Sequence, residues 1–241
     1  MATPHPGVSP EPIFAAARYW EARYAAEGRP WGDGPSELAR LAVARLRPAV
    51  AAAEGGAGAG PSILDVGCGY GRDSRYLAAE LGGQVLGLDP SPTAVAAAYR
   101  SARSALDVDY LVGDAAWLAA ERDHAGRYDV VFAANVYHLL SPGGRRDFAA
   151  ALAALARPGG LLFLSTLSPR DAQHYAVGEP VRGEERSWVG RVYLHFCTAR
   201  ELEADFDSFA VLDLEERGYE EHNPGGVVHR HTSWFLEGRR R

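Results

Sequence analysis

The stretch Ile63-Leu-Asp-Val-Gly-Cys-Gly-Tyr-Gly-Arg72 decides the fold of this 241-residue chain. Its apolar start predicts a short buried strand, and its three glycines, spaced two apart, predict a tight turn. The next residues, 74–80, have the spacing of a helix. Strand, glycine turn and helix open a nucleotide-binding βαβ unit, because glycine lets the backbone turn sharply and lets a ligand come close where a Cβ would clash.

Acidic residues close three successive predicted strands. Asp65 lies in the first strand, Asp89 ends the apolar run 84–88, and Asp114 ends the run 110–113. Asp89 follows the last glycine of the turn at about the distance at which a βαβ unit places the acid that holds a ribose diol. A carboxylate suits that task because it accepts two hydroxyl hydrogen bonds at once. Each acid alone is also explained as a helix N-cap, but three in succession favour a nucleotide site.

The glycine spacing separates two kinds of nucleotide site. A dinucleotide-binding turn reads G-x-G-x-x-G, and here the third glycine is replaced by Arg72. The pattern Asp65-x-Gly-x-Gly-x-Gly71 instead resembles motif I of the class I S-adenosylmethionine-dependent methyltransferases. Arg157-Pro-Gly-Gly160, before the fifth predicted strand, is a further signature of that family. A nicotinamide oxidoreductase is therefore disfavoured.

A narrower resemblance is carried by Gly69-Tyr-Gly-Arg-Asp-Ser-Arg-Tyr-Leu77. It is similar to the tellurite-resistance and thiopurine methyltransferase group, as are Tyr19-Trp20, Pro30-Trp31 and Pro35-Ser36 upstream. The resemblance implies a doubly wound, mostly parallel, seven-stranded α/β sheet of the Rossmann-like type, with an antiparallel last strand and an N-terminal helical lid. It also implies S-adenosylmethionine as cofactor, with S-adenosylhomocysteine as product.

The resemblance assigns cofactor contacts to positions of this sequence. They are Asp65 with Gly67 and Gly69 at the methionine part, Asp89 at the ribose, Asp114 with Ala115 at the adenine, and Asn135 at the end of the fourth strand, with Cys68, Arg72 and Pro90 as further cofactor contacts.

The chemistry of methyl transfer suggests the catalytic candidates. A hydroxyl or ammonium acceptor must lose a proton and needs a base, whereas a thiolate or another soft nucleophile needs less help. Tyr137 and His138 stand just beyond the fourth predicted strand, so both are candidates for the base or for positioning the acceptor. The alternative for His138 is packing beneath the cofactor.

The chain divides into an N-terminal helical lid, residues 1–60, and a core, residues 61–241, with a substrate insertion at about 166–197. Predicted helices cover residues 11–27 and 36–53, where Pro48 kinks or ends the second helix early. Residues 1–10 are expected to be loose, and the glycine-rich stretch 54–61 is expected to be a linker. The aromatic residues of the lid either cover the site or pack outside the sheet. We expect the substrate to contact Tyr19, Tyr24, Trp31, Arg182 and Trp188.

Later elements complete the sheet. After the fifth strand, Leu161–Ser165, residues 166–197 are polar, aromatic and irregular. A capping box at 198–201 opens a helix. Two segments, 209–216 and 228–236, are predicted to pair as an antiparallel hairpin at one edge of the sheet.

Composition limits the partners and the compartment. All 25 basic residues are arginine, the net charge is −6, and no basic stripe is present, so nucleic acid and membrane surfaces are disfavoured. The arginine and alanine bias is typical of a GC-rich genome, and we expect a bacterial protein. No run of 18 apolar residues and no signal peptide is found. Two cysteines fit a reducing cytoplasm.

His229-x-His231 raises the question of a metal. Alternate residues of a strand face one side, so His222 or Glu220 would have to complete the site. Such pairs are common without metal, and we predict none.

The leading hypothesis is a methyltransferase with a small-molecule acceptor, in specialised metabolism or detoxification, acting as a monomer or homodimer. The alternative is an enzyme of the same fold that uses S-adenosylmethionine for aminocarboxypropyl transfer or cyclisation.

Overall fold

Seven strands form the central sheet in a computed structural model that describes residues 13–53, 60–102 and 104–241. The strands of the described chain are β1 (Ser62–Val66), β2 (Gln84–Asp89), β3 (Val108–Val112), β4 (Tyr128–Ala134), β5 (Ala156–Leu167), β6 (Glu179–Pro180), β7 (Ser187–Val189), β8 (Tyr193–His195), β9 (Phe209–His222) and β10 (Val228–Arg240). The helices are α1 (Ile13–Glu27), α2 (Glu37–Ala53), α3 (Arg72–Leu81), α4 (Pro92–Ser101), α5 (Ala115–Ala120), α6 (Pro142–Leu155) and α7 (Ala199–Asp205).

The strand order is β3-β2-β1-β4-β5-β10-β9. Strands β1 to β5 pair in parallel, whereas β10 runs antiparallel to both β5 and β9. The predicted doubly wound sheet with an antiparallel last strand is confirmed. The order reverses between β1 and β4, and in such sheets ligands bind at the carboxyl ends of the strands beside that reversal.

Helices cover both faces of the sheet because its buried strands are apolar on both sides. In β1, Leu64 and Val66 belong to the core cluster that packs with α5, α6 and α7. Ile63, one position along, belongs to the cluster that packs with α2 and α3. This alternation follows from the two-residue period of a strand.

The predicted substrate insertion is more regular than its composition indicated. It contains a second antiparallel sheet in the order β6-β7-β8. Beneath it, the rings of Tyr175, Trp188 and Phe196 contact one another at centroid distances of 4.6 to 5.7 Å. The prediction of an irregular segment is therefore wrong, since long-range aromatic packing orders strands that are too short to give a periodic pattern.

The ends of several elements differ from the prediction. Helix α2 passes through Pro48 to Ala53. Pro48 and Ala44 are both exposed, so water can satisfy the carbonyl group that Pro48 leaves without a partner. Strand β5 begins at Ala156, earlier than expected. The predicted loose segment 1–10, and residues 54–59 of the predicted linker, lie outside the described residues.

The carboxy-terminal elements agree with the prediction. Thr198 and Glu201 form both hydrogen bonds of the capping box at the start of α7. Strands β9 and β10 form the predicted edge hairpin and are longer than expected. Within the part of the chain described here, none of the helices combines the length and the apolar composition that crossing a membrane requires.

The packing between β2 and β3 can be tested at Gly87. A Cβ there would lie 2.5 Å from Cδ1 of Tyr110 and 2.9 Å from Sγ of Cys68. Overpacking of a core costs about 1–3 kcal/mol, so Gly87→Ala should lower the free energy of unfolding by that amount in urea denaturation. The matched control is Gly143→Ala in α6, where no atom lies within 4 Å of the added Cβ. Equal stability of the two variants would contradict the close packing at Gly87.

Candidate functional site

The glycine turn between β1 and α3 has a backbone that only glycine adopts readily. Gly67, Gly69 and Gly71 have φ angles of 76°, 54° and 74°. A Cβ on Gly67 would lie 2.2 Å from a methyl carbon of Val136, and a Cβ on Gly69 would lie 2.7 Å from the hydroxyl oxygen of Tyr24. The glycines therefore meet two demands, the left-handed turn and the close approach of neighbouring elements.

Asp89 fixes this turn from the end of β2. Its Oδ2 accepts a hydrogen bond from the backbone N–H of Gly69 (2.9 Å), and its Oδ1 accepts one from the N–H of Ser91 (2.9 Å). Burial raises the pKa of Asp89 to about 6, although both hydrogen bonds oppose that shift. A ligand that donates hydrogen bonds to this carboxylate would favour its charged form.

Asp65 lies beneath the same turn. Its Oδ2 accepts a hydrogen bond from the hydroxyl of Ser74 (2.5 Å). Burial, with the nearby Asp73, raises the pKa of Asp65 to about 8, so its carboxyl group is largely neutral at pH 7. A cation placed beside it would restore its charge, which makes this position suited to an ammonium group.

Aromatic side chains of the N-terminal segment cover the turn. Tyr19, Trp20, Tyr24 and Trp31 all line the cavity above the glycines. The ring centroid of Trp20 lies 5.8 Å from that of Tyr24 and 6.4 Å from that of Trp31. The three residues predicted here to contact substrate therefore share one wall with Trp20, which the prediction omitted.

Hydrogen bonds hold this segment in place. The hydroxyl of Tyr70 donates to the carbonyl of Gly32 (2.7 Å), and the guanidinium of Arg72 donates to the carbonyl of Trp31 (3.2 Å). Glu21 of α1 accepts hydrogen bonds from the hydroxyl groups of Ser91 and Thr93 at the start of α4. The segment is thus attached to the glycine turn and to the loop that carries Asp89.

The cavity enclosed by these elements has a volume of about 520 Å³. It lies at the carboxyl ends of β1, β2 and β4. The predicted site residues that line it are His138, Asp65, Gly67, Cys68, Gly69, Arg72, Asp89, Pro90, Asn135, Tyr19, Tyr24 and Trp31. Asn135 has a φ of 59°, an uncommon backbone for a residue other than glycine that often marks a functional site.

Four histidines form another wall of the cavity, which meets the N-terminal segment where the ring of His229 contacts that of Trp31. His138 follows β4, His174 lies in the insertion, and His229 and His231 lie on β10. The ring of His174 is stacked on that of His231, with centroids 4.9 Å apart. Fully buried behind them, Asp171 accepts a hydrogen bond from Nδ1 of His174 (2.8 Å). The structure groups His231 with these two residues, and not with His222 or Glu220 as the sequence suggested.

His138 is a poor base in this setting. It is 6% exposed, and its Nδ1 has no hydrogen-bond partner in the described residues. Burial, with His231 and His174 nearby, lowers the pKa of His138 to about 3. The ring is therefore neutral throughout the physiological range, which favours the packing alternative over the role of base.

Five predicted site residues do not line the cavity. Tyr137 is fully buried and donates a hydrogen bond to Asp205, so its hydroxyl is not available as a base. Trp188 packs in the aromatic cluster of the insertion, and Arg182 is exposed.

Asp114 accepts a hydrogen bond from the N–H of Trp117 as the N-cap of α5, and Ala115 is buried beside it. Roles for these two at an adenine remain a prediction.

Arg72 lines the cavity, but its charge is already paired. Its guanidinium donates to Glu221 of β9 at 2.5 Å, and both side chains are nearly buried. Glu221, Arg23 and Asp171 were missed because each comes from an element far from the glycine turn in sequence. A detectable signal existed for one of them, since Asp171 and His174 stand three residues apart, the spacing at which a capping acid accepts a hydrogen bond from a backbone N–H.

Comparison with known proteins shows that part of this chain is similar to methyltransferases. Residues 63–160 match the model of a methyltransferase domain. A ubiquinone biosynthesis O-methyltransferase of Xanthomonas axonopodis pv. citri is 39% identical over 156 residues, which cover 64% of this chain and 57% of that protein. The chain spans about half the length of the curated relatives it matches.

Solved structures share the fold. A methyltransferase from Anabaena variabilis has a TM-score of 0.67 at 18% identity, covering 100% of this chain and 99% of that one. The 1,6-didemethyltoxoflavin-N1-methyltransferase of Burkholderia thailandensis has a TM-score of 0.61 at 20% identity, covering 100% and 91%. Residues 63–160 thus match a methyltransferase domain, the surrounding chain shares the fold of solved methyltransferases, and S-adenosylmethionine is confirmed as the predicted cofactor.

The low pKa of His138 makes stability depend on pH. The unfolded chain binds a proton at His138 below about pH 6.5, whereas the folded chain does not until about pH 3. The free energy of unfolding should therefore fall on acidification through this window, by about 2 kcal/mol from His138 alone at pH 5. Urea denaturation at pH 5 and pH 7 should show a smaller pH difference in His138→Gln. The exposed His222→Gln serves as control, and an undiminished difference in His138→Gln would refute the neutral buried ring.

Proposed function

We propose that this chain is an S-adenosylmethionine-dependent methyltransferase that methylates a small molecule in specialised metabolism or detoxification. The observation that carries the proposal is the position of Asp89, which holds the glycine turn and still faces the cavity. Sites for small ligands are typically mostly apolar cavities in which a few fixed polar groups, such as this carboxylate, orient the ligand. The proposal covers the whole chain, beyond the domain matched at residues 63–160.

The residues present fit the cofactor. Asp65, neutral when the site is empty of cations, would face the ammonium group of the methionine part, and Asp89 would accept hydrogen bonds from the ribose hydroxyls. Gly67 and Gly69 would keep the space that a Cβ would fill. When bound, S-adenosylmethionine supplies a methyl carbon activated by a sulfonium, and aromatic faces such as that of Trp20 attract such a cation.

The shape of the site supports a small acceptor. We propose that the N-terminal segment is the lid. Hydrogen bonds accepted by Glu21 and by the backbone carbonyls of Trp31 and Gly32 hold it across the cavity. A macromolecular acceptor would need an open approach to the glycine turn. The relatives named above methylate small molecules by their names, and this supports the same class of acceptor here.

Asp89 provides the first test. Isothermal titration calorimetry with S-adenosylhomocysteine should show binding, and Asp89→Ala should weaken it by at least ~1.5 kcal/mol, the low end for a lost hydrogen bond to a charged group. Asp109→Ala, an acid on β3 outside the cavity, is the matched control. Binding of NADH instead of S-adenosylhomocysteine would overturn the proposed function, and unchanged affinity in Asp89→Ala would remove that residue from the ribose.

Asp65 provides a second test through pH. Because its pKa is about 8 without ligand, binding of an ammonium group beside it must release a proton below that pH. The affinity for S-adenosylhomocysteine should therefore rise by up to about tenfold per unit between pH 6 and pH 8. Calorimetry in buffers of different ionisation enthalpy measures the released proton directly. Asp65→Asn should lose the pH dependence, and proton uptake by the wild type would contradict the assignment.

A further inference from the structure

Asp171 is a buried carboxylate with an imidazole on either side. It is fully inaccessible, and its Oδ1 accepts hydrogen bonds from the backbone N–H of His174 (2.9 Å) and from Nδ1 of that ring (2.8 Å). Its Oδ2 accepts from the N–H of Thr232 (3.0 Å) and lies 3.6 Å from Nδ1 of His231. The carboxylate is thus fixed by backbone groups from two separate elements.

This arrangement determines the state of His174. Burial alone would raise the pKa of Asp171, but its hydrogen bonds with His174 and Thr232, together with the nearby His231, lower it below its usual range. An ionised carboxylate only accepts hydrogen bonds, so Nδ1 of His174 must carry the proton. Its Nε2 is then the basic nitrogen. His174 lines the cavity, and its side chain is 25% exposed.

The other histidines of the wall are less suited to act as a base. His138 is kept neutral by burial, as described above. His229 packs edge-on against Trp31, and its Nδ1 has no partner among the described residues. His231 lies too far from Asp171 for a good hydrogen bond. Among these rings, His174 has the shortest contact with the carboxylate.

A metal ion fits the same cluster poorly. Asp171, His174 and His231 bring their ligand atoms within 4.8 Å of one another. However, the planes of the two rings lie only 7° apart. Imidazole binds metal through a lone pair in the plane of its ring, at about 2.0–2.1 Å for zinc. Two stacked, parallel rings cannot direct both lone pairs to one ion.

We propose that His174, oriented by Asp171, is the general base of this enzyme and that the acceptor is a hydroxyl group on an aromatic ring. The proposal rests on the proposed function. An aromatic acceptor matches a cavity that is lined by the rings of Trp20 and Trp31 and by the imidazoles of the histidine wall. His174 is the proposed catalytic residue, and Asp171 is a positioning residue.

The proposed step is balanced within the site. The acceptor oxygen bonds to the methyl carbon as the carbon–sulfur bond breaks, and the sulfonium becomes a neutral thioether. The hydroxyl proton passes to Nε2 of His174. Asp171 stabilises the resulting imidazolium through the Nδ1 hydrogen bond, as in other carboxylate–histidine pairs. Such a base contributes about 10²–10⁴-fold to the rate of a proton-transfer step.

Several charged or titratable groups lie in the histidine wall or next to it. They are His138 after β4, His229 and His231 on β10, Asp171 in the insertion, Glu221 on β9 and Arg23 on α1. Variants at His174 must therefore be compared by a measurement that is specific for this ring.

The first experiment determines which ring nitrogen of His174 carries the proton. Full-length protein labelled with ¹⁵N-histidine and bound to S-adenosylhomocysteine is studied by long-range ¹H–¹⁵N correlation, and His174 is assigned from the signal lost in His174→Ala. We expect protonated Nδ1 and unprotonated Nε2, with the preference reduced in Asp171→Asn and kept in His222→Gln. A protonated Nε2 on neutral His174 overturns the proposal, even if the labelled protein shows no turnover.

The second experiment compares the methylation rates of two acceptors that differ only in the acceptor atom, 2-naphthol and 2-naphthalenethiol. Methylation with S-adenosylmethionine is followed by mass spectrometry in mildly alkaline buffer, where the thiol is ionised without help. His174→Ala and Asp171→Asn should lower the 2-naphthol rate by about 10²-fold or more. The thiol rate and the affinity for S-adenosylhomocysteine should change far less, and added imidazole should partly restore His174→Ala.

The outcomes separate this proposal from the function on which it rests. Methylation of 2-naphthol that does not depend on His174, or no methylation of it by the wild type, overturns the base and the acceptor class. If S-adenosylhomocysteine still binds, the proposed function survives that result. If it does not bind, both fail. Methylation that requires added Zn²⁺ and is abolished by chelation would instead make the cluster a metal site.

Discussion

The carboxylate of Asp89 connects the elements that surround the glycine turn. One oxygen holds the N–H of Gly69 and the other holds the N–H of Ser91. Ser91 in turn donates its hydroxyl to Glu21 of the N-terminal helix. A single buried acid therefore connects the glycine turn, the end of β2 and the N-terminal helix. Because a buried carboxylate without partners is costly, these hydrogen bonds also specify the local conformation.

The sequence was sufficient where function and local structure use the same residues. Gly67 and Gly69 are needed for backbone reasons that any turn with this geometry would share, and Asp89 stands one strand away from them. The parallel, doubly wound sheet followed from the alternation of apolar runs with helical spacing, and the edge hairpin from two late β-rich segments. Each of these signals is contained in a few neighbouring residues.

The histidine wall could not be predicted in this way. It joins His138 after β4, His174 from the insertion and His231 from β10, three elements that meet only in the folded chain. Tyr137 and His138 are adjacent in sequence, yet a short 3₁₀ turn directs Tyr137 to Asp205 in the core and leaves His138 on the cavity. Neither periodicity nor composition contains that information. Arg182 was a candidate by charge alone, and it is exposed outside the cavity.

The histidine wall also shows how identical side chains can be placed in different surroundings. Burial keeps His138 neutral with a pKa of about 3. Asp171 instead lies beside His174, whose Nδ1 is 2.8 Å from the carboxylate, whereas Nδ1 of His231 is 3.6 Å away. Because an ionised carboxylate only accepts hydrogen bonds, the closer contact fixes the tautomer of one ring and leaves its Nε2 for the cavity. A buried acid can thus distinguish one imidazole within a wall of identical side chains.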